Sequence, residues 1–290
     1  MDVLGIRPDG YHEVRTVMQS ISLSDEMEVT WKAQPGLGDT FIDISCSEPG
    51  VPLDGRNLAV KAALLMGEVY VERGLGENVP EGELSIDIRK SIPVAAGLAG
   101  GSGNAASVVI ALNELWNMGL SVDEMCRISS KLGADVPFTL LSQATDTRCA
   151  LGSGTGAELK ALRNDVDFSV LLVNPGFGVS TPEVYRGMDA IPENEKTHPD
   201  TDVLIEALGS GDASLAYRAM GNALEDYTLK AYPVVSEIKK DMEETEGLRL
   251  TMMSGSGPTV IGFYDNREDA VKASLKFRET GYTVVTASKV

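Results

Sequence analysis

Basic residues are scarce in this 290-residue chain: 25 Lys and Arg face 43 Asp and Glu, a formal net charge of −18. A nucleic-acid surface needs a basic face, so that class of partner is not expected. Acidity on this scale still allows a phosphorylated ligand, provided the anion is held locally by backbone amides, a helix N-terminus or a few placed cations. Cysteine is also rare. Cys46, Cys126 and Cys149 are few, odd in number and scattered, which argues against a disulfide framework and suits a reducing cytoplasm. The two histidines, His12 and His198, have no Cys or His neighbour at ligand spacing, so a zinc site is not expected. Long apolar runs are missing, which argues against a membrane span. The opening MDVLGIRPDGYHEV has no basic start followed by an apolar run, so no secretory signal is expected.

With 43% hydrophobic and 23% charged residues, the composition is that of a soluble globular protein with room for one large or two ordinary domains. Apolar and polar residues alternate over Val14–Trp31, Thr40–Ser47 and Glu83–Pro93, which predicts strands, with Leu84, Ile86 and Ile88 on one face. Residues 57–73, rich in Ala, Leu and Met, read as a helix. Another opens at Ser121-Val122-Asp123-Glu124, a capping-box sequence, and ends at Gly133. The second half restarts with a strand at Phe168–Gly176. Helical patterns follow near 182–188, 201–208, 213–220 and 234–245, then two strands and a closing helix–strand pair. The polar segment Pro192–Asp202 reads as a surface loop. Strands with interspersed helices and no regular βαβ alternation predict an α+β fold.

Between the strand ending near Pro93 and a helical stretch running to Trp116 lies PVAAGLAGGSGN. Two readings are open: a tight turn in which glycine avoids strain, or a loop whose backbone amides and following helix N-terminus grip an anion. In either case Ser102-Gly103-Asn104 is expected to cap a helix beginning at Ala105. The stretch has neither the Gly-x-x-x-x-Gly-Lys-Ser/Thr order of a P-loop nor a good Rossmann fingerprint. A second small-residue cluster, MMSGSGPTV at Met252–Val260, reads as a hairpin connection or as a second backbone wall of a site.

PVAAGLAGGSGNAAS resembles the central ATP-loop motif of the GHMP kinase superfamily, and MSGSGPT resembles its C-terminal glycine-rich motif. RPDGYHEV (Arg7–Val14), LGADVPF (Leu132–Phe138) and PGFGVSTPEVYR (Pro175–Arg186) are similar to one branch, which phosphorylates a cytidine-diphosphate-linked methylerythritol in the non-mevalonate route to isoprenoids. The resemblance covers essentially the whole chain. It implies a two-lobed GHMP kinase fold, with a ribosomal-protein-S5-like N-terminal lobe over 1–158 and a ferredoxin-like C-terminal lobe over 159–290. It implies a cytoplasmic enzyme, monomer or homodimer, that moves the γ-phosphoryl group of ATP, with Mg²⁺, onto the 2-hydroxyl of its small-molecule substrate.

The same resemblance implies roles for particular residues. Asp135 matches the catalytic aspartate that accepts the hydroxyl proton. Pro93, Ala95, Gly97, Leu98, Ala99, Gly100, Gly101, Ser102, Gly103 and Asn104 would form the ATP loop, with Asn57 and Lys90 also near the nucleotide and Ser102 toward Mg²⁺. Tyr11, His12, Tyr185, Gly255 and Ser256 would meet the substrate, His12 hydrogen-bonding the cytosine edge and Tyr185 stacking on its ring. Two departures from the motif stand out: Ala99 replaces a glycine and Gly103 a serine. The family's opening strand carries an Ala-Lys-x-Asn-Leu pattern, and this sequence begins just past the place where that pattern would fall. Two other readings follow: a GHMP kinase for another small alcohol, and a homologue that binds ATP or substrate without efficient transfer.

Overall fold

A computed structural model describes all 290 residues. In chain order its first strands are β1 (Asp2–Ile6), β2 (His12–Gln19), β3 (Glu26–Ala33) and β4 (Thr40–Cys46), followed by α1 (Leu58–Glu72) and β5 (Gly82–Arg89). Three helices come next, α2 (Gly100–Leu115), α3 (Val122–Ser129) and α4 (Val136–Ala144), then β6 (Cys149–Ser153), β7 (Glu158–Ala161) and β8 (Ser169–Asn174). The remainder is α5 (Thr181–Asp189), α6 (Thr201–Ser210), α7 (Ala213–Ala219), α8 (Glu225–Ala231), α9 (Pro233–Glu243), β9 (Leu248–Met253), β10 (Val260–Tyr264), α10 (Arg267–Ser274) and β11 (Thr283–Ser288).

These elements form two compact units. The smaller comprises residues 24–94 and 99–146; the larger comprises 1–23, 95–98 and 147–290. Sequence halves and compact units are therefore different partitions. The reason is visible in the apolar pairing of the first strands: Val3 of β1 and Val14 of β2 are buried in one cluster with Leu171, Val173, Val260 and Tyr264. β2 also pairs antiparallel with β6, in a sheet of order β1-β2-β6-β7.

In the smaller unit β5 lies between β3, antiparallel to it, and β4, parallel to it. Parallel neighbours need a crossover, and α1 supplies it. This is a single βαβ unit among otherwise antiparallel sheets, so the α+β expectation of no regular βαβ alternation holds. Leu84, Ile86 and Ile88 are all buried, as their alternation predicts, against Ala59, Met66, Ala105, Val109 and Leu112 of α1 and α2. Small side chains where α1 faces α2, including Ala59, Ala62, Ala63, Ala105 and Ala106, allow the two helices to approach closely.

The larger unit holds a second, wholly antiparallel sheet of order β11-β8-β10-β9. β8 is buried along its whole length, consistent with apolar packing on both faces. The strand expected over Val14–Trp31 is two strands, because the chain leaves the larger unit after β2 and enters the smaller one before β3. β1, α4 and α8 are elements that periodicity did not reveal.

Candidate active site

The glycine-rich stretch is where structure departs most from expectation. Helix α2 starts at Gly100, five residues before the expected Ala105. Gly100, Gly101 and Gly103 lie in its first turns, and the Gly103 N–H donates to the Ala99 carbonyl at 2.8 Å. The N-cap is Ala99, in the left-handed region at φ 54°, and no side chain caps the helix. The N–H groups of Gly100, Gly101 and Ser102 thus have no partner within the helix, and the positive end of the helix dipole is open beside them. Ala95 is left-handed as well, at φ 52°. An alanine held there costs about 1–2 kcal/mol, and such strain gathers at functional sites.

Lys90 and Asn104, both expected at the nucleotide, turn their side chains elsewhere. The Lys90 ammonium pairs with Asp25, the two side chains being 7% and 3% exposed. Asn104 is buried, and its amide donates to Asp25 Oδ2 at 2.9 Å. Asp25 Oδ1 accepts the backbone N–H groups of Ser91 (2.8 Å) and Ile92 (2.9 Å). Burial by itself would raise the pKa of Asp25, but hydrogen bonds from Lys90, Ile92, Ser91 and Asn104 outweigh it and hold the carboxyl below its usual range. Asn57 is likewise buried in structural work: it caps α1 by accepting the Ala59 N–H at 2.9 Å and donates to the Pro52 carbonyl at 2.7 Å.

Asp135 is different. It stands at the N-cap position of α4, a helix with Pro137 in its first turn, yet its side chain caps nothing. No cation or hydrogen-bond donor pairs with it. The residue remains open to solvent, while the density of protein around it desolvates the carboxyl and raises its pKa. Because the group still meets water, the shift reflects crowding rather than complete enclosure. Ser102 is half-buried in the first turn of α2, and its carbonyl accepts from Thr139 Oγ1 of α4 at 3.2 Å. That contact places Asp135 and the start of α2 on neighbouring helices of one unit.

In the larger unit, the two glycine clusters meet. Gly97 (φ 72°) offers its carbonyl to Ser254 Oγ at 2.8 Å. A Cβ on Gly97 would come within 2.5 Å of the Ser254 carbonyl and 2.9 Å of that of Gly257, so only glycine fits. The cluster after β9 is a hairpin connection, with Gly255 (φ 53°) and Gly257 (φ 90°) left-handed, and its approach to Gly97 also makes it a wall. Leu98 packs into the core around Phe168, Leu208 and Phe263. Ser256, expected at the substrate, is buried and shares a hydrogen bond of 2.8 Å with Thr181 of α5. Asn222, which sequence reasoning missed, is buried and donates to the carbonyls of Met253 (2.9 Å) and Gly255 (2.8 Å), bracing the loop.

His12 and Tyr185, both expected at the substrate, lie side by side and stack on each other: the rings are 4.5 Å apart at 26°. His12 Nε2 lies 2.8 Å from Asp189 Oδ1 at the end of α5, a partner the sequence did not suggest. That bond favours the Nε2–H tautomer and leaves Nδ1 as an acceptor. Tyr11 lies at the tip of the β1–β2 hairpin with 67% of its surface exposed, available to stack on a ligand ring.

Comparison with known proteins gives the family and the fold. The GHMP kinase N-terminal domain family matches residues 57–143 and the GHMP kinase C-terminal family residues 204–283, which makes the chain a GHMP kinase, a class of small-molecule kinases. A 4-diphosphocytidyl-2-C-methyl-D-erythritol kinase of Bacillus cereus (strain B4264) is 39% identical over 98% of this chain and 92% of its own length. The enzyme of the same name from Clostridium novyi (strain NT) is 41% identical over 96% and 91%. The chain belongs to the 4-diphosphocytidyl-2-C-methyl-D-erythritol kinase family. A crystal structure of 4-(cytidine 5′-diphospho)-2C-methyl-D-erythritol kinase superposes with a TM-score of 0.75 at 30% identity, covering 99% of this chain and 94% of that one. The fold also extends to Leishmania major mevalonate kinase, at a TM-score of 0.67 and 16% identity.

Proposed function

We propose that this chain transfers the γ-phosphoryl group of ATP to the 2-hydroxyl of 4-diphosphocytidyl-2-C-methyl-D-erythritol. The observation that carries the reading is the uncapped start of α2, three free backbone N–H groups behind a left-handed Ala99, on the helix adjoining the unpaired Asp135. The amides of Gly100, Gly101 and Ser102 hold triphosphate oxygens, and the glycines let them approach the backbone. Asp135 takes the proton of the substrate hydroxyl as its oxygen bonds to the γ-phosphorus; the bond to the β–γ bridging oxygen breaks and ADP leaves. A raised pKa suits a carboxylate to that proton transfer.

The substrate's cytosine is read at His12, whose free Nδ1 accepts a hydrogen bond from the base's amino group, and by the rings of Tyr11 and Tyr185. Gly255 and Ser256 line the substrate path as backbone. No cluster of three or more His, Cys, Asp or Glu side chains is placed to hold a metal ion. The Ser102 hydroxyl, in the first turn of α2, would be the protein ligand of a Mg²⁺ ion accompanying ATP, and the ion would supply charge neutralisation on the phosphates. No helix is long and apolar enough to cross a membrane, consistent with action on a small soluble substrate in the cytoplasm.

A coupled ADP-release assay with ATP and 4-diphosphocytidyl-2-C-methyl-D-erythritol tests the proposal. Turnover with this substrate, absent with mevalonate or homoserine, supports it. ATP and substrate binding without turnover would favour the non-transferring homologue instead.

A further inference from the structure

The geometry points to Asp25 as the positioning residue of the nucleotide loop: a buried carboxylate that clasps the exit of β5 to the second turn of α2 and so holds the start of α2 in its binding conformation. The inference rests on the reading of α2's N-terminus as the ATP site. Asp25 touches no part of that N-terminus directly. It acts through four groups on both flanks of the loop: the Lys90 ammonium and the Ser91 and Ile92 amides before it, and the Asn104 amide after it.

Three features make this more than an ion pair in a core. First, both oxygens are fully used, Oδ1 by two backbone amides and Oδ2 by two side chains, so the carboxylate fixes the direction of the chain as it leaves β5. Second, the clasp spans the residue under strain. Ala99 is left-handed, and a strained conformation persists only where its surroundings determine it. Without the clasp, the segment could relax Ala99 to an ordinary conformation and turn the amides of Gly100 to Ser102 off target. Third, the space is closed. A Cβ on Gly100 would meet Ile92 Cγ2 at 2.9 Å and Lys90 Nζ at 3.0 Å, so the Lys90 end of the pair packs directly under the first residue of α2. Lys90 and Asn104 therefore serve the nucleotide by fixing the loop, their polar ends committed to Asp25.

Asp25→Asn is the informative change. Its remaining oxygen can still accept from Ser91 and Ile92, but its NH₂ faces the Lys90 ammonium and the Asn104 amide, donor against donor. Measured on the whole chain, Asp25→Asn raises KM for ATP at least tenfold while KM for the cytidyl substrate stays within twofold; Asn104→Ala, which removes one arm of the clasp, raises KM for ATP two- to fivefold. A merely structural role predicts another pattern, a fall in kcat matching the loss of folded protein with both KM values unchanged, and that pattern overturns the inference. Calorimetric titration with the non-hydrolysable analogue AMP-PNP keeps the two readings apart. If the unaltered chain binds AMP-PNP but does not turn over, the proposed function fails while weaker binding by Asp25→Asn still supports the clasp. If the unaltered chain turns over and Asp25→Asn binds AMP-PNP equally well, the clasp is wrong and the function stands. No binding by the unaltered chain sinks both. Should Asp25→Asn not fold, Asn104→Ala alone decides, with unchanged AMP-PNP affinity counting against the clasp.

Discussion

Asp25 and Asp135 are aspartates of the same compact unit, flanking the same helix, and their environments are opposites. Asp25 has its side chain sealed from water, and a cation and three N–H donors hold its charge. Asp135 stays open to solvent and has nothing to hold its charge. Accordingly the pKa of one is lowered by its partners and that of the other raised by crowding. The contrast separates two uses of one side chain. A carboxylate whose hydrogen bonds are satisfied stabilises a conformation; one left unsatisfied is available for a proton, and the fold carries it at some loss of stability.

The sharpest way to break the comparison is to neutralise each in turn. Asp135→Asn lowers kcat by about 10²–10⁴, the range for removing a general base, with a thermal midpoint unchanged or higher because an unpaired desolvated charge has gone. Asp25→Ala does the reverse in stability. Removing one partner of a buried ion pair costs about 3–5 kcal/mol, read as a lower midpoint in urea at unchanged slope.

pH dependence sharpens the same contrast. The folded-state pKa of Asp25 lies below the unfolded value, so its contribution is present at neutral pH and is lost as pH falls through the folded pKa. The deficit of Asp25→Asn relative to the unaltered chain is therefore constant from about pH 6 to 8 and shrinks below about pH 4. For Asp135 the sign reverses. Its folded pKa is raised, so ionisation disfavours the fold as pH rises through that value, and any advantage of Asp135→Asn appears only above about pH 4.

The smallest effect belongs to the loop itself. Ala99→Gly removes the penalty of a left-handed alanine and stabilises the fold by up to about 1 kcal/mol, less the extra freedom glycine gives the unfolded chain. Chemical denaturation of the two proteins side by side measures it, and a destabilisation beyond about 1 kcal/mol would show that the left-handed geometry costs nothing.

Much of this was legible in the sequence, and the rest was hidden for identifiable reasons. Alternation placed Leu84, Ile86 and Ile88 correctly in the core, and Ser121 with Glu124 forms the capping box its spacing announced. Both are local patterns. The start of α2 was misplaced because glycine weakens any helix signal, whereas here three glycines occupy its first turns. Asp25 lay beyond reach altogether. Within Val14–Trp31 it looks like one more polar residue of an alternating strand stretch, and its partners stand 65 to 79 positions away. Asn222 and Asp189 escaped for the same reason. His12 and Tyr185 were recognised through their motifs, but their mutual stacking depends on the pairing of β1 with β2 and the placement of α5, which no local pattern encodes.

The most direct test of the account is phosphoryl transfer from ATP to 4-diphosphocytidyl-2-C-methyl-D-erythritol, measured by ³¹P detection of the 2-phosphate product for the unaltered chain and for Asp135→Asn at equal folded concentration. The account predicts product from the first and at least a hundredfold less from the second. Equal rates from both would contradict it.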